Sequence, residues 1–221
     1  MNIENSYVAI LQHDKTQIKH PITGKTITLY RIIATKSFTV KGENINIYQI
    51  GGWIESIDNL DPSIPTWIDH SSKVYDDALV SNSLVKGTAS IFQKSKVFDS
   101  LINDKSLVFG NSQVTNSNLS GLVIVKEDAV ISDCILTNSA IIYGNANVSG
   151  TKMTRGAVIY GNSVVKNSEV HDMCEVRGDT ILTNCILNGR YIAENERLAN
   201  QTLTNEPTLN IYEEVIDNPA Y

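Results

Sequence analysis

The chain is short of long apolar runs, cysteine, proline and basic charge, and each shortage removes a class of protein. Its longest early apolar stretch, Tyr7–Leu11, falls far below the ~20 residues of a membrane-spanning helix and the ~7–15 of a secretory h-region. A cytoplasmic protein, or one exported without a secretory signal, is expected, with no membrane contact. The three cysteines, Cys134, Cys174 and Cys185, read as small buried residues in a reducing compartment. Only five prolines occur in 221 residues, and Val, Ile, Leu, Thr, Ser and Asn dominate, a mix that suits strands with polar corners. Eighteen basic residues stand against 24 acidic ones, a net charge of −6. Residues 191–221 hold one basic and six acidic groups, so most of that net charge sits in the tail. No basic patch emerges, so nucleic-acid binding lacks electrostatic support. Phosphate-loop, dinucleotide, Gly-x-Ser-x-Gly and Cys-x-x-Cys motifs are all missing, and no cofactor is expected.

The chain does have a period. Steps of 6, 6 and 5 residues from Ile68 meet Val74, Val80, Val85, Ile91, Val97, Ile102 and so on to Leu187, 22 positions that are all aliphatic or Met. The steps sum to 17, and 3.6-residue helix geometry cannot generate them. They predict a three-sided parallel coil closing every 17 residues, about seven coils and roughly 34 Å long at strand spacing. The residue two before each aliphatic position is nearly always small, as at Ser72, Ala78, Ser83, Ser100, Cys134, Ala146 and Cys185. Strand alternation points both positions inward, so large follows small in the core. Cys134 and Cys185 share a column three coils apart, roughly 14 Å, too far for a disulfide. One corner carries Asn82, Asp99, Asn116, Asp133, Gly150, Asn167 and Asn184, types that accept positive φ and can form amide ladders.

One outward side breaks the polar rule. Leu107/Phe109, Ile124/Lys126, Ile141/Tyr143 and Val158/Tyr160 flank successive inward residues and predict a continuous apolar strip. Its rungs lie about 4.8 Å apart, so rings can stack and Lys126 can make cation–π contacts. The plainer reading is a ladder that steadies the coil. Apolar patches of this kind also mark contacts: a homo-oligomer interface, another protein partner, a glycan stacked on the rings, or the tail. Tyr143 and Tyr160 are the expected centre.

Residues 1–60 read as a hairpin-rich cap of short strands, Ile22–Ile33 and Phe38–Gln49 containing turn signals at Thr23-Gly24 and Lys41-Gly42-Glu43-Asn44. They are expected to plug the first coil, the helix proper spanning 61–190. Residues 188–221 lose the repeat, and 191–221 form an acidic C-terminal extension.

The repeat, with Ile142-Tyr143-Gly144-Asn145-Ala146 and Ile159-Tyr160-Gly161-Asn162-Ser163, resembles the hexapeptide repeat of left-handed parallel β-helices. Ahead of it, Leu29-Tyr30-Arg31-Ile32-Ile33-Ala34, Gly51-Gly52-Trp53-Ile54-Glu55, Asn59-Leu60 and Trp67-Ile68 are similar to the leading segment of the YdcK-like group of bacterial and phage proteins. The resemblance spans about residues 26–187. It implies a left-handed coil, since ordinary crossovers are right-handed, and it implies no defined activity. The 17-residue coil departs from the usual eighteen.

The chain is therefore expected to be an all-β, three-sided left-handed parallel β-helix with an N-terminal hairpin cap, acting as a non-catalytic scaffold through its aromatic face. Two alternatives stand beside this. A hexapeptide-type acyltransferase would use His171, which faces outward on a strand, as general base, although such enzymes tend to interrupt the repeat with a loop and none is inserted here. A phage-borne inhibitor of a host protein would follow the resemblance to phage members. A three-histidine zinc site of the carbonic-anhydrase kind is excluded within one chain, because His70 and His171 are almost six coils apart, roughly 28 Å.

Overall fold

The computed structural model describes residues 4–205 and is all β, with a single 3-10 turn at Ile57–Asn59 and no α-helix among those residues. Three parallel sheets wind round one core. Face one carries Ile50–Ile54, Lys73–Val74 and seven further strands to Ile192–Glu194. Face two has eight strands from Leu79–Ser81 to Arg197–Ala199, and face three nine from Trp67–Ile68 to Thr202–Thr204. Each strand pairs with the one seventeen residues on, as in Ile91↔Val108, Val97↔Val114 and Ile102↔Leu119.

The coil has about nine turns rather than seven. At its start, Ile54 pairs in parallel with Val74 and Leu60 with Val80, twenty residues on in each case, whereas Ile68 pairs with Val85; the extra residues lie between Leu60 and Ile68, and they hide the period. At its end Val176 pairs with Ala193, but Leu182 pairs with Leu198 and Leu187 with Leu203. One residue has been lost at the corner after Ala193, so a strict 17-residue ruler stops one coil early.

All 22 repeat positions are fully buried, each contributing on the order of 1.5–3 kcal/mol over exposure. The small column between faces two and three holds more than size. Ser83, Ser100 and Ser117 are buried, and each hydroxyl accepts the N–H of the residue seventeen on: Ser100, Ser117 and Cys134, all at 3.0 Å. Each hydroxyl also donates to the carbonyl two residues back. A ladder of hydroxyls thus runs up the inside of this corner, and Ser168 continues it to Cys185. Outside the same corner the Asn/Asp column has positive φ at every position from Asn82 to Asn200, and Asn116 donates to Asp133 at 2.6 Å. All three cysteines are free and buried, and burial pushes the Cys134 thiol up to about 11.

The N-terminal residues do more than plug the first coil. Val8–Lys19 and Thr26–Ala34 form an antiparallel hairpin, and the second strand pairs with Ile50–Ile54 to extend face one. The turn signal at Thr23-Gly24 falls at the turn of this hairpin, most of Ile22–Ile33 is its second strand, and the apolar run at Tyr7–Leu11 leads into its first strand. The hairpin folds back over the outside of face one. A second hairpin, Phe38–Val40 with Glu43–Ile45, turns at Lys41-Gly42, both at positive φ as a two-residue turn requires. It lies on face three, with Glu43 on Lys86 at 2.6 Å and Phe38 edge-on to Trp67.

The segments that carry the family resemblance are packing devices. Arg31 donates to the carbonyls of Gly51 and His70, and its guanidinium lies 3.9 Å from the Trp53 ring centroid. Gly51 and Gly52 are buried strand residues; a Cβ on Gly51 would stand 2.6 Å from Ile32 Cγ1. The coil's close approach, not a turn, demands glycine there.

Candidate binding face

On face one, side chains on either side of each inward residue point out, and the parallel register stacks them. Tyr75, Phe92 and Phe109 form one stack, with ring centroids 5.0 and 4.9 Å apart. Lys126 interrupts it. Tyr143 and Tyr160 form a second stack at 4.8 Å, their ring planes nearly parallel. Lys126 Nζ lies 4.7 Å from the Tyr143 centroid and 3.0 Å from Glu127, so its cation–π contact is with the tyrosine. Beyond Tyr160, Arg177 pairs with Glu175 and, at 2.8 Å, with Glu194, closing the strip with charge.

The eight residues expected to bind, Leu107, Phe109, Ile124, Lys126, Ile141, Tyr143, Val158 and Tyr160, do lie together on four successive rungs, and all are half-buried. They are less open than alternation alone suggests. Stacking at 4.8 Å hides both faces of a ring and leaves its edge and hydroxyl to solvent. Burial raises the Tyr143 phenol above its ordinary value, and the neighbouring Tyr160 adds to the shift.

The N-terminal hairpin occupies the first part of this face. Ile18, Ile27 and Leu29 pack on Trp53, Tyr75, Phe92 and Phe109, and that cluster ends at Phe109. His20 pins the hairpin's tip. It is buried, its Nδ1 accepts the N–H groups of Ile22 and Thr23, and its Nε2 lies 3.0 Å from Asp76. Because Nδ1 accepts, the proton of the neutral ring is on Nε2 and donates to Asp76. The ring meets Tyr75 and Phe92 edge-on, and Asp76 also accepts the Gln93 N–H at 3.0 Å. No sequence motif marks His20; its role comes from contacts between residues 56 apart. A groove of about 890 Å³ runs beside it, lined by Lys25, Glu55, Asp77, Lys94 and Asn111 among others. Its charges are mixed, and both ring nitrogens of His20 are held in the fold.

His171 is half-buried on face three. Its Nδ1 is 2.8 Å from the Thr154 hydroxyl and its Nε2 2.8 Å from Glu169. The hydrogen bond from His171 holds the Glu169 carboxyl below its ordinary value. A base needs a nitrogen free to meet the proton it takes, and both nitrogens of His171 are engaged. His70, at the coil's start, meets Arg31 and lies far from His171. Among the described residues no group of three or more His, Cys, Asp or Glu is placed to hold a metal ion, and no helix is long and apolar enough to cross a membrane. In comparison with known proteins, the chain matches no family model and no curated sequence.

Proposed function

We propose that the protein is a non-catalytic binding scaffold whose contact surface is the second half of face one, and that the first partner bound there is another copy of the chain. The observation that carries this is the partial cover. The hairpin lays Ile18, Ile27 and Leu29 over the first stack and stops at Phe109, while the apolar strip goes on for three more rungs to Val158 and Tyr160. The cover already present is aliphatic side chains on ring edges, and a partner surface of the same chemistry would continue it. The strip is roughly 15–20 Å long at strand spacing and one narrow strand wide, so it fills only part of the ~800 Å² per partner of a standard interface. It therefore serves as the apolar centre, with Lys126, Glu127, Glu175 and Arg177 as a polar rim.

Kinship with the YdcK-like group, and with it the left hand of the coil and a cytoplasmic or phage setting, is part of the same proposal and rests on the repeat and on the Arg31 and Gly51-Gly52-Trp53 segments. The acyltransferase alternative would require His171 to leave Thr154 or Glu169, and no observation favours it over the scaffold.

The test is the molar mass of the purified protein by light scattering, beside a Tyr143→Glu, Tyr160→Glu double variant. An oligomer in the parent that the two carboxylates reduce to monomer is the expected result. Monomers in both forms would remove self-association through this face.

A further inference from the structure

The two ends of the coil are finished differently. At the N-terminal end the hairpins Val8–Lys19/Thr26–Ala34 and Phe38–Val40/Glu43–Ile45 lie over the first turns. At the other end, among the described residues, Ile192–Glu194, Arg197–Ala199 and Thr202–Thr204 are the last strands of faces one, two and three, all in the same turn. Leu182 and Leu187 are fully buried, whereas Leu198 and Leu203, one coil later in the same columns, are only half-buried. Among the described residues this end is three adjacent strand edges around an incompletely covered apolar centre, an arrangement that pairs with further chain unless something caps it.

The chain itself supplies the next sixteen residues, 206–221, directly from that edge, against the sixteen that separate Leu187 from Leu203. Stepping on from Leu203 by 6, 6 and 5 meets Leu209, Val215 and Ala220. The corner positions two residues past Leu203 and past Val215 are Asn205 and Asp217, the types found at positive φ in the coils below. Ile211 is the departure, because it falls where those coils carry Asp, Gln, Glu, Gly or Asn. The positions that are small inside the coil become polar or large in the last turn, at Tyr191, Glu196 and Gln201, and continue as Pro207 and Glu213. Polar outward-facing repeats are what a solenoid needs at its ends.

We propose that the C-terminal end of the coil is a docking surface for the chain's own residues 206–217. The end is then closed to other copies, and association is confined to the sides. This is independent of whether face one binds a partner.

Amide hydrogen exchange of the full chain, read by mass spectrometry over 190–205, tests it. In a Leu209→Asp, Val215→Asp variant the amides of the three last strands are expected to exchange at least about tenfold faster, while an Ile216→Asp control matches the parent. Both changes fall outside residues 4–205, which contain the nine turns, so the coil remains folded to report. Unchanged exchange in the double variant would overturn the proposal, since the ninth turn would then cap itself. Protection that rises with protein concentration in the parent would also overturn it, assigning the end to a second copy.

Discussion

At the scale of the residue, inward positions need hydrogen-bonding capacity as well as the right volume. The column Ser83, Ser100, Ser117, Cys134, Thr151, Ser168, Cys185 looks in the sequence like a choice of small residues. In the fold, the hydroxyls of Ser83, Ser100, Ser117 and Ser168 take up an N–H from the next coil that has no other route to water. Ser100→Ala removes little volume but strands the buried N–H of Ser117, and a loss of about 1–3 kcal/mol is expected by urea denaturation. Ser100→Cys, a swap the chain itself makes at Cys134, is expected to lose less. Asp61 gives a pH-dependent case. Its carboxylate accepts the N–H groups of Ser63 and Ile64 and the hydroxyls of Ser63 and Ser81, led by the Ser63 backbone bond, and these hold it below its ordinary value of 3.8. A carboxyl lowered on folding stabilises the fold fully above its unfolded value and stops doing so as pH falls through the folded one. Asp61→Asn should therefore be less stable than the parent at about pH 6, and the gap should narrow as the pH drops below 3.8. A gap that is constant with pH would mean the carboxylate charge is not what these bonds use.

At the scale of the element, the coil was legible and its clasp was not. Alternation and the 6-6-5 steps say which side chains point out of a strand, and they place Tyr75, Phe92, Phe109, Tyr143 and Tyr160 in one outward file. They carry no information about what then packs on that file. The hairpin that covers Tyr75 and Phe92 comes from residues 8–34, and its pairing with face one uses contacts distant in sequence, such as Tyr30↔Ile54 and Arg31↔Trp53. The eight residues of the candidate strip lie together on four rungs, and the two rings that precede them in the file, Tyr75 and Phe92, are core under the hairpin. Leu29, fully buried and packed with Tyr75 and Phe92, measures what the clasp contributes. Leu29→Ala is expected to cost about 2–5 kcal/mol, a large fraction of a domain's stability. The same change should make Tyr75 and Phe92 accessible, which binding of a hydrophobic dye under native conditions would report. A cost well under 1 kcal/mol would mean that the hairpin lies loosely on face one.

At the scale of the whole molecule, each turn touches only its neighbours, so stability is a sum of local terms along one axis and the ends can open separately from the middle. The ninth turn escaped a strict ruler for a related reason: a lost residue at one corner changes the spacing of every position after it without breaking the stack, since Leu198 and Leu203 still pair with Leu182 and Leu187. Both tryptophans, Trp53 and Trp67, lie in the first turns, between the hairpins and the coil, so their fluorescence reports the clasped end alone, while far-UV circular dichroism reports every turn. In the parent the two signals are expected to lose structure together, because the buried column from Ile54 to Ala193 is continuous. Leu187→Ala opens a cavity in the eighth turn, about seven turns from the tryptophans. The dichroism midpoint in urea should fall and the fluorescence midpoint should move less, because coupling to the clasped end passes through every intervening interface. If both midpoints shift equally, the clasp and all nine turns unfold as one unit, and the axis has no independent ends.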